Sequence, residues 1–259
     1  MNNGCIIFSV GERKKISPNA QRYLFEYFNS YPLKVRKRVE YVTTDMYRPY
    51  IDLAKKVFPN ANIVVDKFHI VQLLTRELNK LRINEMKKLN TRSKEYKILK
   101  RYWKIPLRKN WELNSIYFYK NIHFKNMTSS VDILDYMLGK FPNLKEAYDF
   151  YQNFLLSISK NDVAMLEDIL NTRTDEIPMC FRKSIKTLKK LRKYVVNSLK
   201  YDYTNAMVEG KNNKIKVIKR VSYGYRSFRN FKSRIMLMER YKIQKGNIHS
   251  YKFAMDAAA

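Results

Sequence analysis

The sequence predicts an α/β protein that carries a large all-helical insertion. Two observations point there. A strand–helix–strand pattern occupies the first 70 residues, and helical periodicity then runs almost unbroken to about residue 200. Residues 1–70 therefore read as α/β, 71–200 as helical, and 201–259 as a helix-led return to the first unit. No stretch rich in Gly, Ser or Pro separates them, so the middle segment reads as an insertion packed against its host.

Three strands are predicted in the first segment. Ile6 to Val10 is an apolar run, Val39 to Thr44 is rich in β-branched and aromatic residues, and Ala61 to Val65 is a third. Pro18 to Tyr31 reads as a helix. Tyr47 to Phe58 is a second one, with Tyr50, Leu53, Ala54 and Val57 at helical spacing. Pro59-Asn60 stops it and turns the chain. Strand, helix and strand within about 30 residues make a βαβ unit with parallel strands. In the middle segment, Phe68, Val71, Leu74, Leu78 and Leu81 form one apolar stripe. Val131, Leu134 and Leu138 form another, ended by Gly139 and Pro142. Further stripes follow at Leu144 to Leu155 and Val163 to Leu170, and Ile185, Leu188, Leu191 and Val195 line a strongly basic helix. Plain core packing explains nearly all of them.

Charge narrows the function classes. The 259 residues hold 52 Lys and Arg against 23 Asp and Glu, a net charge of +29. Such an excess repels itself in the compact state, so a polyanionic partner is expected. With 45% hydrophobic residues the chain folds, and with 6 Gly and 7 Pro it is neither collagen-like nor of low complexity. Cys5 and Cys180 make neither a disulfide framework nor a thiolate zinc site, and such low usage suits a reducing cytoplasm. No run of 18 apolar residues exists to span a membrane, and the N-terminal apolar run is too short for a secretory signal.

Functional groups of open α/β sheets gather at the carboxyl ends of parallel strands. Two acids fall there: Asp45 closes the second strand and Asp66 the third, 21 residues apart in sequence but close if the strands are neighbours. The plain alternative is that each caps a turn or helix. His69 lies three residues past Asp66 and could share a helix face with it, as an orienting partner or as a buried, satisfied histidine. His123 and His249 have no ligand spacing, which disfavours zinc.

The stretch from Tyr203 to Arg220 is the richest. Read as a helix, it buries Val208, Ile215, Ile218 and Val221, and another face carries Glu209, Asn213, Lys216 and Arg220. A lone carboxylate among cations would repel phosphates unless a divalent cation bridges the two. The plain alternative is an intrahelical ion pair. Beyond it, Tyr223 to Arg234 interleaves aromatics with basic residues, a pattern that grips phosphates and stacks on bases, or one that merely divides core from solvent. Arg182, Lys183, Lys186, Lys189, Lys190, Arg192 and Lys193 surround the basic helix with no acid among them. The candidate phosphate contacts are Lys211, Lys214, Lys216, Lys219, Arg220, Arg226 and Arg229, with Lys186 and Lys190.

These residues resemble a known family. Val42-Thr43-Thr44-Asp45-Met46, Phe58-Pro59-Asn60-Ala61 and Asp66-Lys67-Phe68-His69 look like motifs of the bacterial insertion-sequence transposases of the ISL-three family. Thr204-Asn205, Glu209-Gly210, Asn213 to Lys216, Arg220, Tyr223-Gly224 and Phe228-Arg229 resemble its C-terminal signature. The resemblance implies an RNase H-like catalytic core and a DDE triad holding two Mg2+ (or Mn2+) ions for DNA cleavage and strand transfer. Asp45 then corresponds to the second Asp, Glu209 to the Glu, and Asp66 and His69 to auxiliary positions. Asp66 is the second choice as metal ligand. The family's first Asp has no counterpart, because no Asp precedes Asp45. The expectation is a partial core with its first strand missing, inactive by itself. Insertion-sequence ends are the implied DNA partner, homo-oligomers and a nucleoid location are usual for such proteins, and no membrane is involved. A non-catalytic basic DNA-binding protein derived from a transposase is the alternative, and a basic RNA-associated protein a third that leaves Glu209 unexplained.

All three readings share one prediction. Nucleic-acid binding should fall steeply with salt, by about 10³-fold between roughly 50 and 200 mM if on the order of six phosphates are contacted. Fluorescence anisotropy across that range checks it, and salt-insensitive binding would overturn the phosphate-contact assignment.

Overall fold

Three strands, Cys5–Ile7 (β1), Tyr41–Thr44 (β2) and Asn62–Val65 (β3), form a parallel sheet in the order β1-β2-β3. The computed structural model describes residues 5–7, 18–244 and 247–250. The end of the predicted first strand, residues 8–10, lies outside them. Between β1 and β2 come helices α1 (Pro18–Asn29) and α2 (Leu33–Arg36), and α3 (Arg48–Val57) joins β2 to β3. The last three residues of both β2 and β3 are buried, as expected of strands covered on both faces. Pro49 sits in the first turn of α3, where its missing N–H costs nothing. Tyr50, Ile51, Leu53, Ala54 and Val57 are the buried residues of this helix.

The next helix dominates the structure. α4 (Lys67–Lys87) has 21 residues and buries Ile70, Leu74 and Leu78 completely, at steps of four that keep them on one face. Its first turn abuts the sheet, and its length passes α5 (Lys94–Arg101) and α7 (Pro142–Ser159). A single cluster of buried residues thus runs from Val42 and Val65 in the sheet to Leu144, Phe154, Phe181 and Leu188 in the helices. The remaining helices of this unit are α6 (Ser130–Lys140), α8 (Val163–Asn171), α9 (Arg182–Lys190) and α10 (Arg192–Lys200). α10 packs on β3, and the Asn197 side-chain amide donates to the Ile63 carbonyl at 2.9 Å.

Three details depart from the sequence reading. Gly139 does not end α6: the helix continues to Lys140, and Pro142 starts α7. α6 itself begins with a reciprocal capping box between Ser129 and Asp132. The basic stretch from Ile185 to Val195 is two helices, broken at Leu191 (φ −107°, ψ 14°). Residues 102–129 are not helical throughout. Short 3-10 turns lead into a two-stranded antiparallel hairpin, β4 (Tyr119–Lys120) and β5 (Met127–Thr128). Polar contacts hold the turns to α7: the Gln152 amide bonds the Asn110 N–H and Arg108 carbonyl, and the Tyr151 hydroxyl the Leu107 carbonyl.

The chain divides into two compact units, the second formed by the described residues from Asn205 onward. It contains α11 (Ala206–Val221), α12 (Phe228–Arg240) and a hairpin of β6 (Tyr241–Gln244) and β7 (Asn247–Ser250). Gly224, with φ 104°, closes α11 by donating its N–H to the Lys219 carbonyl, in a conformation that favours glycine. Ile218 is buried and Ile215 half-buried, but Val221 is exposed, contrary to the expected stripe. No helix among the described residues is long and apolar enough to cross a membrane.

Leu78→Ala should cost about 3 kcal/mol, the usual range for a cavity opened in a tight core, whereas Val221→Ala should stay within about 0.5 kcal/mol. Urea denaturation midpoints compare the two directly.

Candidate functional site

The sheet register places the two strand-end acids at the same level. Thr44 pairs with Val65, and the ladder continues one step as the Asp66 N–H donates to the Thr44 carbonyl at 3.0 Å. Asp45 and Asp66 are therefore the next residues on adjacent parallel strands, which lie about 4.8 Å apart. The strand leading to Asp45 is deeply seated: Thr43 and Thr44 are fully buried, and their hydroxyls find no hydrogen-bond partner among the described residues. Their β-branched shape fits the sheet as valine would.

Each acid also has a local structural task. Asp45 Oδ1 accepts the Tyr47 N–H at 3.0 Å and so closes the turn into α3, whose N-cap residue has no side-chain capping bond of its own. This bond uses one of the two carboxylate oxygens. The half-buried Asp45 also lies close enough to Tyr50 to act on it: burial first, and the Asp45 charge second, push the Tyr50 hydroxyl well above its ordinary pKa. Asp66 is buried and is the N-cap of α4. Its Oδ1 accepts the Phe68 N–H at 2.8 Å, and its carbonyl accepts from His69 and Ile70. The capping alternative weighed for both acids is thus real, and it coexists with their shared position.

His69 is half-buried and meets the Phe68 ring edge-on, with centroids 5.5 Å apart. Its N–H bonds the Asp66 backbone carbonyl, so the pair is linked through the main chain. Between them Lys67 reaches away from the sheet, to Asn161 Oδ1 at 2.8 Å and to Asp202 at 3.5 Å. Glu209 occupies the fourth position of α11 in the second unit, and its carboxylate lies outside the described residues. Among the described residues no group of three His, Cys, Asp or Glu side chains could hold a metal ion. Asp45 and Asp66 are nevertheless hard oxygen donors of the class that suits Mg2+ or Mn2+.

The cations divide into structural and exposed groups. Arg182 donates to the Ile177 and Asp175 carbonyls, Lys189 to the Thr172 carbonyl, and Arg192 pairs with Glu167 at 3.3 Å and bonds Asn171. Lys183, Lys186, Lys190 and Lys193 are exposed, and Lys186 and Lys190 lie one turn apart on α9. In the second unit Lys211, Lys216, Lys219, Arg220, Arg226 and Arg229 are exposed. Lys214 reaches the Met238 carbonyl at 3.3 Å and so ties α11 to α12. Tyr223 and Phe228 are exposed, whereas Tyr225 packs against Phe231 with the rings tilted by 35° and centroids 4.9 Å apart.

One exposed surface escaped the sequence reading. The segment around the β4–β5 hairpin displays Trp111, Tyr117, Phe118 and Tyr119 to solvent. The β-branched and aromatic run Ile116-Tyr117-Phe118-Tyr119, flanked by Asn114 and Asn121, is a short strand signal that helical periodicity on either side masked.

A family model described as transposase, of the ISL-three DDE type, matches residues 11–235. A protein of Lactococcus lactis subsp. lactis named ATP-dependent protease is 39% identical over 121 residues, which are 47% of this chain and 38% of that protein. The chain spans well under half the length of this curated relative. No solved structure matches it.

Asp66→Ala should lower stability by about 1 kcal/mol through loss of the α4 cap, and Asp66→Asn should retain most of it, since Asn caps nearly as well. Equal losses for the two variants in urea denaturation would show that the buried charge, not the cap, is what stabilises.

Proposed function

The chain belongs to the ISL-three family of transposases, and from that premise we propose that it contributes an RNase H-like core for metal-dependent DNA cleavage and strand transfer, with residues 71–200 as a helical insertion. The observation that carries this reading is the register that sets Asp45 and Asp66 side by side at the carboxyl ends of β2 and β3. Asp45 and Glu209 are assigned as metal ligands, and Asp66 and His69 as auxiliary residues. Mg2+ or Mn2+ would supply Lewis-acid stabilisation at the phosphodiester being cut.

The residues of the chain do the rest. The Asp45 turn bond and the Asp66 cap fix both carboxylates on the backbone, which pre-organises them. Lys211, Lys214, Lys216, Lys219 and Arg220 follow Glu209 on α11, where they bind the DNA backbone beside the acid. Arg226 and Arg229 extend that track, and Lys186 and Lys190 on α9 form another. Homo-oligomers on paired element ends would complete the reaction.

A second reading needs only the exposed cations. It is a non-catalytic DNA-binding protein of transposase origin, favoured by the exposed Lys186, Lys190 and α11 residues. The activity named for the Lactococcus relative is not carried over, because none of the six glycines precedes Lys-Ser or Lys-Thr as a phosphate-cradling loop requires.

Incubation with Mg2+ or Mn2+ and element-end DNA separates the readings. Any cleavage should drop at least about 100-fold in Glu209→Gln and in Asp45→Asn, with DNA binding retained. Cleavage that persists in Glu209→Gln overturns the assignment of that acid, and binding without any cleavage supports the second reading.

A further inference from the structure

We propose that the segment from Trp103 to Met127, centred on the β4–β5 hairpin, is a stacking surface for unpaired DNA bases. The proposal rests on the DNA-binding reading and adds to it a ligand class that the phosphate-binding cations do not select.

The hairpin turn, residues 121–126, is anchored, while the stretch that leads into β4 is bare. The Tyr102 hydroxyl donates to Asn121 Oδ1 at 2.9 Å, and the Asn121 amide in turn bonds the Thr128 hydroxyl. Phe124 packs edge-on against Tyr136 at 5.4 Å, and the Lys94 ammonium lies over both rings, 4.9 and 4.7 Å from their centroids. Asn114 then shapes the stretch that leads into β4. Its Oδ1 accepts the Ile116 and Tyr117 N–H groups at 3.2 and 2.9 Å, and its amide donates to the Tyr117 carbonyl at 2.7 Å. The Ser130 N–H holds the Asn114 carbonyl at 3.1 Å. With this backbone clamp in place Tyr117 is 76% and Phe118 52% exposed, and Trp111 earlier in the segment is 48% exposed. Several large rings exposed within one short, hydrogen-bonded segment are the kind of feature that marks a binding surface.

Charge identifies the occupant. Residues 92–129 contain ten Lys and Arg against two acids, Glu95 and Glu112. Both acids are engaged within the chain, Glu95 by the Tyr136 hydroxyl at 2.9 Å and Glu112 by Lys109 at 2.8 Å. A second copy of the chain meeting this segment across a two-fold axis would set cations against cations, so self-association through this face is opposed. A polyanion is favoured, and an intact duplex offers phosphates but hides its base faces. Unpaired bases offer both, and each base stacked on an aromatic side chain gains affinity with little regard to sequence.

The full chain can report this directly, because both of its tryptophans, Trp103 and Trp111, lie in the segment. The probes are a blunt duplex and the same duplex carrying a central bulge of unpaired thymines, followed by anisotropy and tryptophan emission. The bulged DNA should bind about tenfold tighter and quench the emission. Tyr117→Leu with Phe118→Leu keeps apolar area but removes the ring faces. It should abolish the preference while leaving blunt-duplex affinity within about twofold, and Tyr117→Phe should preserve the preference. Lys186→Ala with Lys190→Ala should weaken both DNAs alike. Equal wild-type affinity for the two DNAs overturns the stacking surface and leaves the DNA-binding reading standing, whereas no binding to either at low salt overturns both. A preference that survives the double Leu variant also overturns it. So does a double Leu variant that loses binding to phosphatidylglycerol vesicles with its DNA preference intact.

Discussion

The structure of the first unit depends on one junction: the chain leaves β3 and enters α4 at Asp66. The carboxylate caps the helix, and the Asp66 backbone N–H extends the sheet ladder, so one residue belongs to both elements. From this point Ile70, Leu74 and Leu78 project a fully buried stripe through the helical part of the unit. Sheet and helices therefore share one core instead of packing as separate bodies. A helix of this length does not rely on propensity for its stability; the burial of its apolar face supplies it. The same junction sets where the acids of the site stand, which couples the core to the candidate chemistry.

The charge distribution follows a division of labour. Arg182, Lys189 and Arg192 spend their donors inside the unit: Arg182 on the carbonyls of Asp175 and Ile177, and Lys189 and Arg192, on either side of the Leu191 break, on the C-terminal part of α8 and the residue after it. The exposed lysines on either side of them have no such task. A net charge of +29 is then concentrated on surfaces that an anionic polymer can reach. Arg82 shows the opposite case. It is buried beneath α5, bonds the Leu99 carbonyl at 2.6 Å and Asn79 at 2.9 Å, and its pKa is depressed by burial without losing its structural bonds.

Much of this was legible in the sequence where period and burial agree. Tyr50, Leu53, Ala54 and Val57 marked α3, and the β-branched runs marked β2 and β3, because a buried parallel sheet admits little else. Asp45 and Asp66 could be placed at neighbouring strand ends from the βαβ pattern alone. The break at Leu191 could not, because it interrupts the backbone without interrupting the apolar spacing: Leu188, Leu191 and Val195 are buried on both sides of it. The β4–β5 hairpin was hidden for a related reason. Two-residue strands are too short to show alternation, and their register is set by Asn114, Asn121 and Thr128 side chains that no periodicity reveals. Val221 carries the right spacing for burial but is the last residue of its helix and lies exposed.

The ladder between β2 and β3 has a consequence for how the first unit tolerates change. Since main-chain pairing sets the interval between Asp45 and Asp66, swapping one aliphatic neighbour for another would translate both carboxylates together and leave their separation nearly constant. A lineage could thus drift widely in its interior composition while the acid pair kept its geometry, and only a slip of strand register, which turns every side chain to the other face, would dissolve it.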